Sequence, residues 1–255
     1  MAVVNVLIVR APGTNCALET AAAWERVAAK VTTVHLDELK RCPEMWTGAQ
    51  VLTIPGGFAF GDDISAGKIL AVDLSLFFGE ALRAFVSRGN LVLGICNGFQ
   101  VLLKAGLIPG EPLGSSSVTL TMNESGRYED RWVHVAPGGA SCPFLDDQPM
   151  YLPVAHAEGR VAVADEKSIE SLEAGGRIAL RYVDQRGAIG AYPVNPNGSV
   201  GSIAGLMDET GRVLGLMPHP ERHAHFTHHP CWTRLRSDRE PDGLRLFRNA
   251  MTYFK

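Results

Sequence analysis

Three short runs of almost wholly apolar residues, VVNVLIV (3–9), VLTIP (51–55) and NLVLGI (90–95), constrain this chain more than any other feature. A strand that is apolar at every position, rather than at alternate ones, has no face it can show to water. Such strands belong inside a sheet covered on both sides. Between them lie segments with helical spacing. ALETAAAWERVAAK (17–30) sets Leu18, Ala21, Ala22, Val27 and Ala28 near one stripe, LSLFFGEALRAFVSRG (74–89) ends in a glycine suited to a C-cap, and GFQVLLKAG (98–106) follows the third apolar run. VTTVHL (31–36) reads as a further strand. Strand and helix in alternation predict an α/β fold, with an open, mostly parallel central sheet and helices on both faces.

The second half is richer in strands: SVTLTM (117–122), RWVHV (131–135), RVAVA (160–164), RIALRYV (177–183), SIAGLM (202–207) and VLGLM (213–217), before a last helix, GLRLFRNAMTYF (243–254). With no internal repeat or low-complexity linker, residues 1–255 are expected to form a single domain whose strand-rich C-terminal half completes or flanks the sheet. The chain has 255 residues, 46% of them hydrophobic, and a net charge of −3, so it has material for a large core and no basic excess that would point to nucleic acid or a membrane surface. No apolar run approaches the ~18 residues of a membrane span, and MAVVNVLIVR reads as a first strand rather than a secretion signal. Five cysteines, at 16, 42, 96, 142 and 231, are odd in number and form no CxxC pair, which predicts a reducing cytoplasm.

One of those cysteines stands at a chemically loaded place. Cys96 follows the apolar run LVLGI and precedes a helix, within Gly94-Ile95-Cys96-Asn97-Gly98. This is the thiol counterpart of the Gly-x-Ser-x-Gly elbow, in which a sharp strand-to-helix turn exposes a nucleophile and glycines make room for it. The helix N-terminus favours a thiolate. An inert buried cysteine between glycines that permit close packing would share the pattern. A nucleophile requires a base, and the base an orienting group. GLMPHPER (215–222) supplies both: His219 and Glu221 lie two apart after a strand, on one side of an extended segment, with Pro220 stiffening the link. Acyl chemistry also requires donors for an oxyanion. The Asn97 N–H, just after the nucleophile, is one, and the turn at Gly56 and Gly57 after the third strand offers another.

With these residues in hand, the sequence resembles the class I (triad) glutamine amidotransferases. APGTNC (11–16), PGGFAFGD (55–62), GICNGFQVL (94–102), AHAEGR (155–160), NPNGS (195–199) and MPHPER (217–222) occur in order and together resemble the glutaminase component of phosphoribosylformylglycinamidine synthases, nearly end to end. The resemblance implies a flavodoxin-like amidotransferase fold. It implies that Cys96 attacks the glutamine amide, His219 shuttles the proton and Glu221 orients it. Gly57 and Asn97 become the oxyanion donors, with Gly56 the alternative to Gly57, and Gln100 a contact of the bound glutamine. It implies no cofactor or metal in this chain, ATP and Mg used by a separate large synthetase subunit, and in some relatives a small third subunit. No Gx4GK[ST] phosphate loop occurs here, in keeping with an ATP site elsewhere.

Two places depart from that pattern. Ala157 stands where a glycine is expected in AHAEGR, and HAHFTHHPCWTRLRSDREPDG (223–243) is an extension with His223, His225, His228 and His229. These histidines invite a metal reading, but no cysteine or carboxylate spacing completes a zinc set, so a partner-contacting or substrate-side loop is expected. Two other functions compete with the glutaminase: a hydrolase, chaperone or redox sensor on a related fold, where a histidine often directly follows the cysteine, and a catalytically silent binding subunit. Asn97 after Cys96 speaks against the first, and the intact Cys, His and Glu against the second.

Overall fold

The structure is a computed structural model, and it describes residues 3–110, 117–235 and 239–255. The elements run β1 (Asn5–Arg10), α1 (Ala17–Arg26), β2 (Lys30–His35), α2 (Leu36–Arg41), β3 (Val51–Ile54), α3 (Lys68–Ser87), β4 (Leu91–Ile95), α4 (Asn97–Lys104), β5 (Val118–Thr121), β6 (Glu129–Pro137), β7 (Met150–His156), β8 (Arg160–Val163), α5 (Glu166–Ala174), β9 (Ile178–Val183), β10 (Ile203–Met207), β11 (Val213–Leu216) and α6 (Asp242–Tyr253). Nine strands form one sheet in the order β2-β1-β3-β4-β11-β10-β9-β6-β7, and β5 pairs with β8 in a separate ribbon.

The half from β2 to β11 is parallel, and from β11 to β7 every pairing is antiparallel. The apolar strands are where their composition places them: all residues of β3 and β4 are buried. Adjacent strand residues face opposite sides, and β3 shows that both sides are covered. The Trp24 Nε1 of α1 donates to Thr53 Oγ1 at 3.1 Å, while the next residue, Ile54, backs onto Gly98 of α4. Edge-on packing of Trp24 with Phe247, 4.9 Å between centroids, joins α1 to α6 on one face. Trp46 packs on Phe78 and Phe85 of α3. Among the described residues no helix is long and apolar enough to cross a membrane.

Several elements differ from the sequence reading. The alanine-rich helix stops at Arg26 rather than residue 30, because β2 pairs with β1 from Lys30 onward and the chain turns through Ala28 at φ 64° to reach it. Helix α3 begins at Lys68, earlier than 74, and ends as expected before Gly89, whose φ of +87° only glycine adopts without cost. Strand β7 and helices α2 and α5 carry mixed, weakly periodic sequence and were not anticipated; tertiary pairing with β6 makes β7 a strand.

The elbow depends on close approach. A Cβ at Gly98 would lie 1.9 Å from the Ile54 carbonyl oxygen, and one at Gly94 would lie 2.6 Å from Gly98 O. Gly98→Ala is therefore expected to destabilise the fold by about 1–3 kcal/mol, as overpacking does, whereas Gly48→Ala, with nothing within 4 Å of its Cβ, should stay within about 0.5 kcal/mol of the parent. Denaturant midpoints of the two variants check this.

Candidate active site

Strand register brings the distant pieces together. β4 and β11 run parallel with Gly94 beside Gly215 and Ile95 beside Leu216, and the Cys96 N–H donates to Leu216 O at 2.8 Å. The chain beyond β11 thus leaves the sheet next to Cys96 and carries His219 into the same space. Loops after β1 and β3 close the other side, tied by Cys16 N–H to Gly56 O at 3.2 Å and by Phe58 N–H to Gly13 O at 3.0 Å. All four loops sit at the carboxyl ends of parallel strands, where open α/β sheets collect ligands.

Cys96 has φ 50° and ψ −103°, a region that costs a residue with a side chain about 1–3 kcal/mol and persists only where packing enforces it. The elbow inferred from the Gly-x-Cys-x-Gly spacing is thus formed, with the thiol at the N-terminus of α4. Cys96 Sγ lies 3.7 Å from the carbonyl oxygen of Ala155 at the end of β7.

His219 Nδ1 meets Glu221 Oε1 at 2.6 Å, with both side chains almost wholly buried. The extended geometry expected for this pair is corrected: Pro220–His223 is a turn of 3₁₀ helix with Pro220 at its start, and the tight turn makes the contact. Burial alone would push the imidazole towards its neutral form. The Glu221 carboxylate, and after it the Cys96 sulfur, outweigh that penalty and hold the His219 pKa well above its ordinary value. Nε2, on the other side of the ring, is buried and has no hydrogen-bond partner among the described residues. Thiol and imidazole therefore share the site without a formed hydrogen bond.

Cys16 is the neighbour that the sequence reading passed over. Its Sγ accepts from Arg222 Nη2 at 3.2 Å, and a Cβ on Gly56 would press on both Cys16 Sγ and the His219 ring, at 3.2 and 2.8 Å. Ligand-type atoms of Cys16, His219 and Glu221 lie within 4.8 Å of one another, a spacing a metal could use. The His219–Glu221 hydrogen bond uses Nδ1 and Oε1, and among the described residues Nε2 and Oε2 have no hydrogen-bond partner. Gly57 has φ +142°, and a Cβ there would come within 2.7 Å of the Asn15 nitrogen. Among the described residues the Gly57 N–H has no hydrogen-bond acceptor. The Asn97 N–H, first in α4, has no intrahelical partner by the nature of a helix start.

Gln100 is 4% exposed; its Oε1 accepts from Asn97 Nδ2 at 2.9 Å and its Nε2 donates to Glu158 O at 2.6 Å. AHAEGR and NPNGS join in one wall, with Asn197 Nδ2 donating to Gly159 O at 2.7 Å and Val161 N–H to Ser199 Oγ at 2.9 Å. Within that wall His156 is held by Asn123 Oδ1 at 3.0 Å, and burial, with His219 nearby, pushes its pKa down to about 3, so it stays neutral beside the triad. Ala157 is not among the positive-φ residues, so a side chain costs nothing where a glycine was expected. Of the extension 223–243, residues 236–238 lie outside the described residues. Its His223 and His229 rings pack on Trp132, edge-on at 5.1 Å and tilted at 5.8 Å, and His223 Nδ1 meets Tyr151 O at 2.8 Å.

Removing the Glu221 charge leaves burial in command of His219. Glu221→Gln should therefore drop its pKa, withdraw the cation beside Cys96, and slow alkylation of Cys96 by iodoacetamide ~10-fold or more at about pH 6, with rates converging above about pH 9. Equal rates at both pH values would show that the carboxylate does not act on the thiol.

Comparison with known proteins agrees with this geometry. The CobB/CobQ-like glutamine amidotransferase domain matches residues 3–254. The PurQ subunit of phosphoribosylformylglycinamidine synthase from Dehalococcoides mccartyi is 41% identical over 99% of this chain and 98% of its own length. That from Pyrococcus furiosus is 35% identical over 99% of both. A chain of the PurLQS structure from Thermotoga maritima superposes with a TM-score of 0.75 at 28% identity, covering 100% of both chains. A glutamine amidotransferase from the same organism, at 14% identity and a TM-score of 0.54, shares the fold. With its strained thiol and buried imidazole–carboxylate pair, the chain belongs to the CobB/CobQ-like glutamine amidotransferases and, among them, to the PurQ subunits of phosphoribosylformylglycinamidine synthase.

Proposed function

We propose that residues 1–255 act as one unit that hydrolyses glutamine at Cys96 and hands the ammonia to a separate synthetase. The Cys96 thiolate adds to the side-chain amide carbon of glutamine, and the oxygen takes up negative charge. The N–H groups of Gly57 and Asn97 stabilise that charge, with Gly56 the alternative donor on the same turn. Protonated His219 gives its proton to the departing nitrogen, and ammonia leaves a γ-glutamyl thioester. Neutral His219 then takes a proton from water, whose oxygen attacks the thioester to release glutamate and restore the thiolate. Glu221 fixes the imidazole tautomer throughout. Gln100 keeps one N–H and one acceptor lone pair beyond its two internal bonds, and these face the glutamine in this reading. The observation that carries the proposal is the buried His219–Glu221 pair beside a cysteine at positive φ.

The partner is a large PurL-type synthetase that spends ATP, with Mg, to activate formylglycinamide ribonucleotide. A small PurS-type subunit completes the assembly, as the PurLQS complex suggests. Water would protonate free ammonia and end its nucleophilicity, so transfer runs through the complex. The setting is de novo purine synthesis in the cytoplasm. Substitution Cys96→Ala should abolish glutamine-dependent synthesis by the reconstituted complex and leave ammonia-dependent synthesis intact; survival of both activities removes Cys96 as the nucleophile. Because thiol and imidazole are not yet hydrogen-bonded, glutamine turnover by the free subunit should rise about tenfold or more when the synthetase docks. Steady-state glutamate release with and without the partner measures it.

A further inference from the structure

The loop that carries Gly57 is held in place by the helix that carries Asn97, and one carboxylate makes the connection. Between β3 and α3 the chain passes through Phe60, Asp62 and Ile64 at φ 56°, 52° and 67°, three side-chain-bearing residues in the left-handed region. Such a path does not sustain itself. It is pinned to α4 at each end of one helix face. At the start of α4, Asn97 Oδ1 accepts from Ala59 N–H at 3.1 Å and Asn97 Nδ2 donates to Asp62 Oδ1 at 2.8 Å. Two turns on, Lys104 Nζ donates to Ser65 Oγ and Ala66 O. Between these, Gly67 comes so close to α4 that a Cβ would lie 2.9 Å from Val101 Cγ2 and 3.3 Å from Asn97 O. The same Asp62 oxygen accepts from Gly67 N–H at 3.2 Å. Half-buried, Asp62 has a pKa raised by burial, with the Gly67 and Asn97 hydrogen bonds pulling the other way.

The Asn97 side chain is thus held from three directions: both its N–H groups and its oxygen are engaged, at 2% exposure. A side chain with no freedom fixes its own backbone, and that backbone bears one of the two oxyanion donors. The other, Gly57, lies five residues before Asp62 on the braced loop. We infer that Asp62 is a positioning residue for amide hydrolysis, bracing the loop of Gly57 against the first residue of α4 so that the two donors keep their separation. This rests on the glutaminase reading above. It adds a role for the final residue of PGGFAFGD, and a reason why asparagine follows the cysteine: only an amide offers donors to Asp62 and Gln100 and an acceptor to Ala59 at once.

The test compares Asp62→Ala with Asp62→Asn in the complete complex with the synthetase. For Asp62→Ala, kcat for glutamine hydrolysis should fall ~10- to 100-fold with KM changed less than about threefold, short of the ~10²–10³ cost of losing a whole oxyanion donor. Iodoacetamide alkylation of Cys96, a displacement that builds no oxyanion, should keep its parent rate and pH profile. Asp62→Asn should recover most of kcat, because an amide oxygen still accepts from Asn97 and Gly67. Undiminished kcat in Asp62→Ala overturns the proposal, as does alkylation that falls in step with kcat, or an Asp62→Asn variant no better than Asp62→Ala. Failure of the glutaminase reading is separately visible, as glutamine-dependent synthesis that survives Cys96→Ala.

Discussion

The parallel pairing of β4 with β11 is the constraint on which the rest of this molecule depends. Nearly 120 residues separate the two strands in sequence, yet their register sets Leu216 O against the Cys96 N–H. That one hydrogen bond caps the strand, helps lock the positive φ of Cys96, and starts the segment that delivers His219. A slip of one residue would turn every side chain of β11 to the opposite face. It would put a side chain where Gly215 admits the Phe99 ring, a position where a Cβ would lie 2.2 Å from that ring, and would carry the imidazole away from the sulfur. The placement of His219 beside Cys96 is therefore tied to the same close packing that holds the sheet.

Burial and charge oppose one another at the triad, and charge prevails because it is arranged in a chain. A carboxylate with almost no exposure would pay heavily to be alone. Glu221 is tolerated because His219 answers it within 2.6 Å, and the Glu221 carboxylate holds the His219 pKa well above its ordinary value against the pull of burial. A few residues away His156 has the same burial without a carboxylate and is pushed the other way, to about 3. Two buried histidines near one another are thus shifted in opposite directions, His219 up beside its carboxylate and His156 down without one. Neutral His156 serves as a fixed acceptor-donor group for Asn123 and cannot compete with His219 for the proton.

What could be read from the sequence, and what could not, divides along physical lines. The buried parallel strands were legible because continuous apolar runs have one common explanation, and the elbow was legible because Gly-x-Cys-x-Gly at a strand end encodes a backbone geometry. Gly98 against Ile54 O shows that the glycine is there for contact with the β3 backbone, a partner over forty residues away. Strand β7 was not legible. Its sequence, MYLPVAH, holds a proline and no clean alternation, and it becomes a strand only because β6 pairs with it. Cys16 was counted for compartment and not for position, since nothing local says that the turn after β1 folds back beside Gly56. The part Asp62 plays has no local signal, because its partner lies 35 residues on and the left-handed path of its loop leaves no periodic trace.

The antiparallel half has its own part in the site, and β7 shows what it is. Pro153 O accepts from the His219 N–H at 2.8 Å, and two residues later Ala155 O stands 3.7 Å from Cys96 Sγ. Alternate residues of the edge strand thus contact His219 and Cys96. A parallel sheet alone presents loops on one rim and leaves the site open above it. The added antiparallel strands bring a wall across that rim, stiffened by the Asn123, Asn197 and Ser199 hydrogen bonds. Cys96, His219 and Glu221 are all buried behind it, and charge on such groups interacts more strongly than it would in water. The strand-rich C-terminal half is, in this sense, the lid that makes the elbow of the first half useful.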